Sequence, residues 1–120
     1  MEPAALVRHY YEAIDQKEYE TLASLLTPDF RQERPDRTFE GRASFVDFMR
    51  DRRPETDTTH EVQRVFESRG GVESVGDGGG TASVAVEGTV YHDTGEVFFS
   101  FVDVFDVSED AISHLRTYTR

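Results

Sequence analysis

The apolar positions of the chain change their period once, near Pro54. Before it they recur every three or four residues, and after it they alternate. The first spacing predicts a helix from Pro3 to Gln16, with Leu6, Tyr10, Ala13 and Ile14 on one face and Val7 and Tyr11 widening it. Pro3 stands where a first-turn proline is tolerated. A short second helix is expected over Tyr19 to Leu26, stopped by Pro28 and Asp29. Phe30 to Gly41 reads as polar and irregular, turning at Pro35 and Asp36. Arg42 to Arg52 reads as a third helix, with Phe45, Phe48 and Met49 on one face.

Beyond Pro54, His60 to Ser68 reads as a strand. A glycine-rich loop follows, with Val72 and Val75 as a short strand piece inside it. Three strands then come at hairpin spacing: Ala82 to His92, Glu96 to Val107 and Ile112 to Thr119. Their turns are Asp93-Thr94-Gly95 and Ser108-Glu109-Asp110. The prediction is a single α+β domain over 1–120, with three N-terminal helices on one face of a four-stranded antiparallel meander. In the strand from Glu96, one face carries Val97, Phe99, Phe101, Asp103 and Phe105, and the other Phe98, Val102 and Val104. A strand apolar on both sides needs cover on both sides. Helices supply one cover, and a second copy of the chain would supply the other, so a homodimer is expected.

Composition narrows the function. Hydrophobic residues make up 37% of the 120, with nine Phe, enough for a proper core. Thirteen basic residues against 24 acidic ones give a charge of −11, which argues against nucleic acid as partner. No cysteine is present, so thiolate chemistry and disulfides are excluded. No signal-like start and no membrane-length apolar run is visible, which points to the cytoplasm. Only Lys17 is lysine, and the other 12 basic residues are arginine. An acid excess with almost no lysine suits concentrated salt, where screening removes self-repulsion. A GC-rich genome would explain the missing lysine but not the excess acid.

Asp103 is the most informative position. A carboxylate among phenylalanines has its pKa raised by desolvation. Protonated, it can donate to a carbonyl or developing oxyanion, and charged it can act as a base. The plain alternative is a buried ion pair with Arg116 or Arg64. Tyr10 and Tyr11 are adjacent on the first helix and diverge by about 100°, so one should face the sheet. The histidines His9, His60, His92 and His114 show no metal-ligand spacing, and no metal is expected. His114 and Arg116 share a strand face with Ile112 and Tyr118, lining a cavity or facing solvent. Gly78-Gly79-Gly80 lacks the context of a phosphate loop. Arg50, Arg52 and Arg53 read as cations at a helix C-terminus.

Several segments together resemble the nuclear transport factor 2-like superfamily, in particular its SnoaL-like branch. VRHYYEAID (7–15) and LASLLTPDF (22–30) are similar to its opening helix pair, and FEGRASFVDFM (39–49) to the segment that follows. VDVFDV (102–107) and ISHLRTY (112–118) are similar to its last strands. The resemblance implies a cone-shaped α+β fold, a curved antiparallel sheet wrapped by three helices around a pocket, and commonly a dimer. Members include isomerases, polyketide cyclases, epoxide hydrolases, dehydratases and non-catalytic binding proteins. The ketosteroid isomerase pattern places its oxyanion-hole tyrosine at Tyr10 and its protonated aspartate at Asp103. Its general base falls at Arg34, so Glu33 or Asp36 would have to substitute. The epoxide hydrolase pattern fails, with Phe101 and Thr117 at two of its charged positions. The implied pocket is lined by Phe30, Phe48, Phe101, Asp103, Arg116 and Tyr118. It would take a small, largely apolar ligand bearing a carbonyl or hydroxyl, with Asp103, Tyr10 and Glu33 as catalytic residues and no cofactor. The other expectation is a dimerisation or binding module with a vestigial pocket.

Overall fold

The computed structural model describes residues 1–68 and 82–120. Helix α1 spans Pro3–Asp15 and buries Leu6, Val7, Tyr10, Tyr11, Ala13 and Ile14, the stripe expected from the sequence. Helix α2 is shorter than its apolar pattern, Tyr19–Ser24. Leu26 already opens a strand, β1 (Leu26–Glu33). Pro28 and Asp29 therefore lie inside a strand. They sit where the ladder to the neighbouring strand is interrupted between Leu26 and Arg31, so the missing proline N–H costs no ladder bond.

The segment read as irregular is in fact a hairpin of β1 with β2 (Thr38–Glu40). Its turn is where Pro35 and Asp36 placed it, closed by Arg34 N–H donating to Arg37 O at 2.8 Å. Helix α3 covers Arg42–Asp47 and continues as a π-helical turn, Phe48–Arg52. Arg53 closes that turn with Nε donating to Met49 O at 3.0 Å.

The remaining strands are β3 (Thr59–Glu67), β4 (Ala82–Tyr91), β5 (Val97–Ser108) and β6 (Ala111–Thr119). Among the described residues the sheet has six strands in the order β2-β1-β6-β5-β4-β3, curved and unclosed. The meander β3 to β6 is antiparallel as predicted, but β1 joins β6 in parallel. The four-stranded meander thus gains a polar hairpin that the hydrophobic pattern did not mark. The glycine-rich loop and the piece at Val72 and Val75 lie outside the described residues.

Among the bulges of the sheet, one in β3 and one in β6 set which of those strands' side chains face inward. In β3 the register shifts between Val62 and Arg64, and in β6 Ser113 is the extra residue between Ile112 and His114. Each bulge reverses the alternation beyond it. Val62 and Val65, and Ile112 and Leu115, can then all face the helices. A regular strand could not place residues three apart on one face. The inner face carries Val84, Val86, Phe105, Ile112 and Leu115, all buried against the helices. The outer face leaves Phe66, Val102 and Tyr118 exposed. At Gly88 the sheet is crowded, since a Cβ would stand 2.5 Å from Glu61 O and 2.6 Å from Phe101 Cζ. Only glycine lets the Phe101 ring lie across β4 there.

Candidate functional site

A cavity of about 240 Å³ opens between α1, α3 with its π turn, and the inner face of the sheet. Phe45, Phe48, Met49, Val90 and Phe101 give it apolar walls. Asp103, in the middle of β5, also lines it and is only 6% exposed. Its carboxyl is held by neutral hydroxyls. Tyr11 donates to Oδ2 at 2.6 Å and Thr117 donates to Oδ1 at 2.6 Å. Gln32 Nε2 in turn donates to Thr117 Oγ1 at 2.9 Å. Gln32 Oε1 is buried and has no partner among the described residues, so a hydroxyl donor would complete the cluster.

Burial pushes the Asp103 carboxyl above the usual carboxylate range. The hydrogen bonds from Thr117 and Tyr11, and the charges of His60 and Arg34, pull the other way without cancelling it. Burial likewise raises the Tyr11 phenol well above its ordinary value, and the neighbouring Asp103 raises it further. Tyr11 therefore remains a donor at neutral pH.

Both adjacent tyrosines face the interior, where the helical divergence had suggested one. The aspartate's tyrosine partner is Tyr11, one residue beyond the tyrosine singled out in the sequence. Tyr10 lies edge-on to Tyr11 and Phe105, with ring centroids 5.2 and 5.3 Å away. It lines the cavity, and its hydroxyl has no partner among the described residues, where the bonded phenols are Tyr11, Tyr19 and Tyr91. Burial raises its pKa well above the ordinary value as well, so it too is a phenol with a proton to donate.

The structure brings Tyr10, Phe48, Phe101 and Asp103 together and separates the other candidates from them. Phe30 is fully buried behind the wall, its ring 5.0 Å from that of Phe45, so it supports the cavity without lining it. Arg116 and Tyr118 fall on the outer face, because the Ser113 bulge turns His114, Arg116 and Tyr118 away from the side that Ile112 occupies. Thr117 and Thr119 are the cavity residues of that strand. Glu33 points outward between the buried Gln32 and the turn, with Oε2 2.6 Å from His114 Nε2. Asp36 lies on the exposed β1–β2 turn beside Arg34 and Arg37. No carboxylate from this hairpin reaches the cavity, and Arg34 lines it instead. The ion pairs considered for Asp103 do not form: Arg64 faces Glu87 at 3.5 Å and Arg116 faces Asp106 at 3.5 Å.

His60 is the residue that sequence reasoning missed. It lines the cavity, with its ring 5.2 Å from that of Tyr11. Asp15, at the end of α1, holds it twice. Oδ2 accepts the His60 backbone N–H at 3.0 Å, and Oδ1 lies 2.6 Å from Nδ1. This clamp fixes the ring plane and leaves Nε2 available. The two residues are 45 positions apart, so no local motif could have paired them. Among the described residues no group of three or more His, Asp and Glu side chains is gathered to hold a metal ion. No helix there is long and apolar enough to cross a membrane.

No curated protein matches the sequence. Among solved structures, the chain is similar to an NTF2-like protein of unknown function from Cytophaga hutchinsonii, with TM-score 0.71 and 15% identity over 96% of this chain and 87% of that one. It is similar to a candidate ketosteroid isomerase from Kribbella flavida, with TM-score 0.62 and 24% identity over 97% and 76%. It is also similar to the Orange Carotenoid Protein of Anabaena in a structure binding canthaxanthin, with TM-score 0.75 and 16% identity. That match covers 93% of this chain but 34% of the carotenoid protein, so the chain spans about a third of its length. At these identities the likeness is one of fold. The SnoaL-like domain family matches residues 7–115, nearly the whole chain, and the protein belongs to this family within the NTF2-like superfamily.

Proposed function

We propose that this chain binds a small, largely apolar molecule bearing a carbonyl or hydroxyl and moves a proton on it. The observation that carries the reading is Asp103, buried at the wall of an apolar cavity and satisfied by hydroxyls rather than by a cation. A volume of about 240 Å³ lies just below the roughly 300–1,000 Å³ usual for ligand sites, which suits one ring or two fused rings. The Tyr10 phenol is a free donor for the ligand's carbonyl. Asp103 and Tyr11 beside it make that end of the cavity polar. His60, with Nδ1 engaged by Asp15, takes the role first assigned to Glu33. Its Nε2 accepts a proton from the carbon next to the carbonyl and the enolate oxygen is stabilised by Tyr10; the imidazolium then returns the proton, to the same carbon in a saturated ketone (exchange) or to the γ-carbon of a β,γ-unsaturated ketone, which moves the double bond and completes an isomerisation. No step needs a cofactor.

The test uses small aryl ketones and phenols. A ligand at 100 times its Kd should stabilise the fold by about 2.7 kcal/mol, an easily read thermal shift. Ketones that bind should then exchange their α-protons with D2O, followed by NMR. His60→Gln should retain binding and lose about 10²- to 10⁴-fold in exchange rate. Binding without exchange in the wild type would remove the proton transfer and leave a binding protein. No thermal shift with any member of the panel would overturn the pocket reading and favour a module with a vestigial pocket.

The outer sheet face supports a second part of the proposal. Phe66 and Tyr118 are each 56% exposed and Val102 is 39% exposed, on the side away from the helices. A second copy of the chain would bury them. Light scattering should give twice the chain mass, and Val102→Asp with Tyr118→Asp should reduce it to one. With a charge of −11, the melting temperature should also rise between 0.1 and 2 M KCl as screening shortens.

A further inference from the structure

The charges lining the cavity do not balance at short range. Two acids line it, Asp103 and Glu55, and both are occupied. Asp103 takes its two hydroxyls, and Glu55 Oε2 lies 2.6 Å from His92 Nδ1. Two arginines line it as well, Arg34 and Arg53, and both are half-buried. Arg34 uses only Nε, 3.2 Å from Asp36, a residue at the exposed turn that also faces Arg37. Its two terminal nitrogens have no partner among the described residues. Arg53 donates to Met49 O, Thr58 Oγ1, Thr56 O and Tyr19 Oη, at 3.0 to 3.5 Å. All four acceptors are neutral, and no carboxylate of the described residues forms a salt bridge with it.

This is unexpected in a chain with 24 acidic and 13 basic residues. Half-buried cations in such a chain are usually met by a carboxylate of their own, whereas among the described residues Arg53 has none in salt-bridge reach and Arg34 shares the exposed Asp36 with Arg37. Both guanidinium groups belong to the cavity that Tyr10 lines. The Arg34 guanidinium also lies 5.9 Å above the ring of Phe48, on the apolar wall.

We propose that the ligand carries a carboxylate, held by Arg34 and Arg53, in addition to the carbonyl or hydroxyl that Tyr10 addresses. The planar fork of a guanidinium matches a carboxylate, and charge-assisted hydrogen bonds of this kind are the strong ones. A phosphate would bring about twice the charge past Asp103 and Glu55, in a protein already at −11. The monoanion is the better fit. The substrate class is thus a small aromatic or alicyclic keto or hydroxy acid. This rests on the reading of the cavity as a ligand site.

The experiment compares 3-benzoylpropanoate with its methyl ester, and adds inorganic phosphate as a third probe. Each is titrated calorimetrically into the wild type and Arg34→Gln. In 0.1 M KCl the acid should bind the wild type at least about tenfold more tightly than the ester. The gap should shrink in 1 M KCl. Arg34→Gln should lose most of the acid's advantage while the ester's affinity stays. Because the Arg34 ion pair is with an exposed aspartate, this variant should remain folded, as circular dichroism would verify. Ester binding equal to or tighter than acid binding would overturn the carboxylate and leave the pocket standing. Phosphate binding that Arg34→Gln abolishes, with no acid binding, would also overturn it. Binding of neither acid nor ester, nor of any neutral ketone or phenol, would bring down the pocket reading itself.

Discussion

Asp103 and Asp106 are three residues apart on β5 and lead different lives. Asp103 faces inward, 6% exposed, with Tyr11 and Thr117 as its partners. Asp106 faces outward among Ser83, Arg116 and His114, at 3.2, 3.5 and 3.7 Å. Arg116 Nη1 is also 3.2 Å from His114 Nδ1, and Glu33 reaches the other ring nitrogen. The outer cluster is rich in charge and partly wet, so water and counter-ions share its work. The inner one is only 6% exposed, and burial shifts its single carboxyl toward the protonated form. Residue type alone did not separate the two faces. Burial did, and burial followed from strand parity.

The widest gap between the faces should be in packing. Phe105 is fully buried, while Val102, three residues earlier and on the other face, is 39% exposed. Phe105→Ala should cost about 3–5 kcal/mol in urea unfolding. Val102→Ala should cost about 0.5 kcal/mol or less in the monomer. Equal costs would mean that the outer face is as well packed as the inner, which only a tight second copy could provide. The concentration dependence of the midpoint separates those cases.

Gly88→Ala tests the crowded point between the cavity wall and β3. The new methyl meets the backbone oxygen of Glu61, which cannot step aside, as well as the Phe101 ring, which can. The expected loss is about 1–3 kcal/mol. Trimming the ring with Phe101→Leu should recover only part of it, because the Glu61 clash stays. Full recovery would show that the ring alone sets the requirement for glycine.

The third difference is one of pH. In the unfolded chain Asp103 ionises in the ordinary carboxylate range, and in the fold it keeps its proton to higher pH. Between those points the folded state binds more protons, so this group's contribution to stability falls as pH rises. Unfolding free energies of wild type and Asp103→Asn across pH 3 to 8 should show it as a difference. The wild type should lose ground to the variant with increasing pH. A difference that moves the opposite way would mean that the hydroxyl bonds outweigh burial and the carboxyl is held charged.

How far the sequence reached follows the same division. The stripe on α1 and the alternation of β5 were legible because each buries one continuous apolar face, and Asp103 stood out against its phenylalanines. The β1–β2 hairpin was not, since between Phe30 and Phe39 its inward positions include Gln32 and Arg34, polar residues that face the cavity. The inward side of β6 was hidden by the Ser113 bulge, although its signal was present. Ile112 and Leu115 are three apart within a strand, as are Val62 and Val65 in β3, and both pairs straddle a bulge. The choice between Tyr10 and Tyr11 depended on how α1 rolls on the sheet, which packing decides. His60 needed Asp15, a partner from another element.

The smallest effect should come from the outer cluster. Glu33 is 41% exposed at its side chain and His114 is 27% exposed, so their 2.6 Å contact lies within reach of water. Such a pair is worth about 0–1 kcal/mol, and screening reduces it in molar KCl. Glu33→Gln should therefore shift the unfolding midpoint little, and less still at high salt. It should also leave the thermal response to any cavity ligand unchanged, because the side chain points away from Asp103. Its inner counterpart, His60→Gln, should leave binding but remove proton exchange. A loss of exchange in Glu33→Gln with retention in His60→Gln would reverse the assignment of the two faces, and would require β1 to roll so that Glu33 replaces Gln32 on the cavity side.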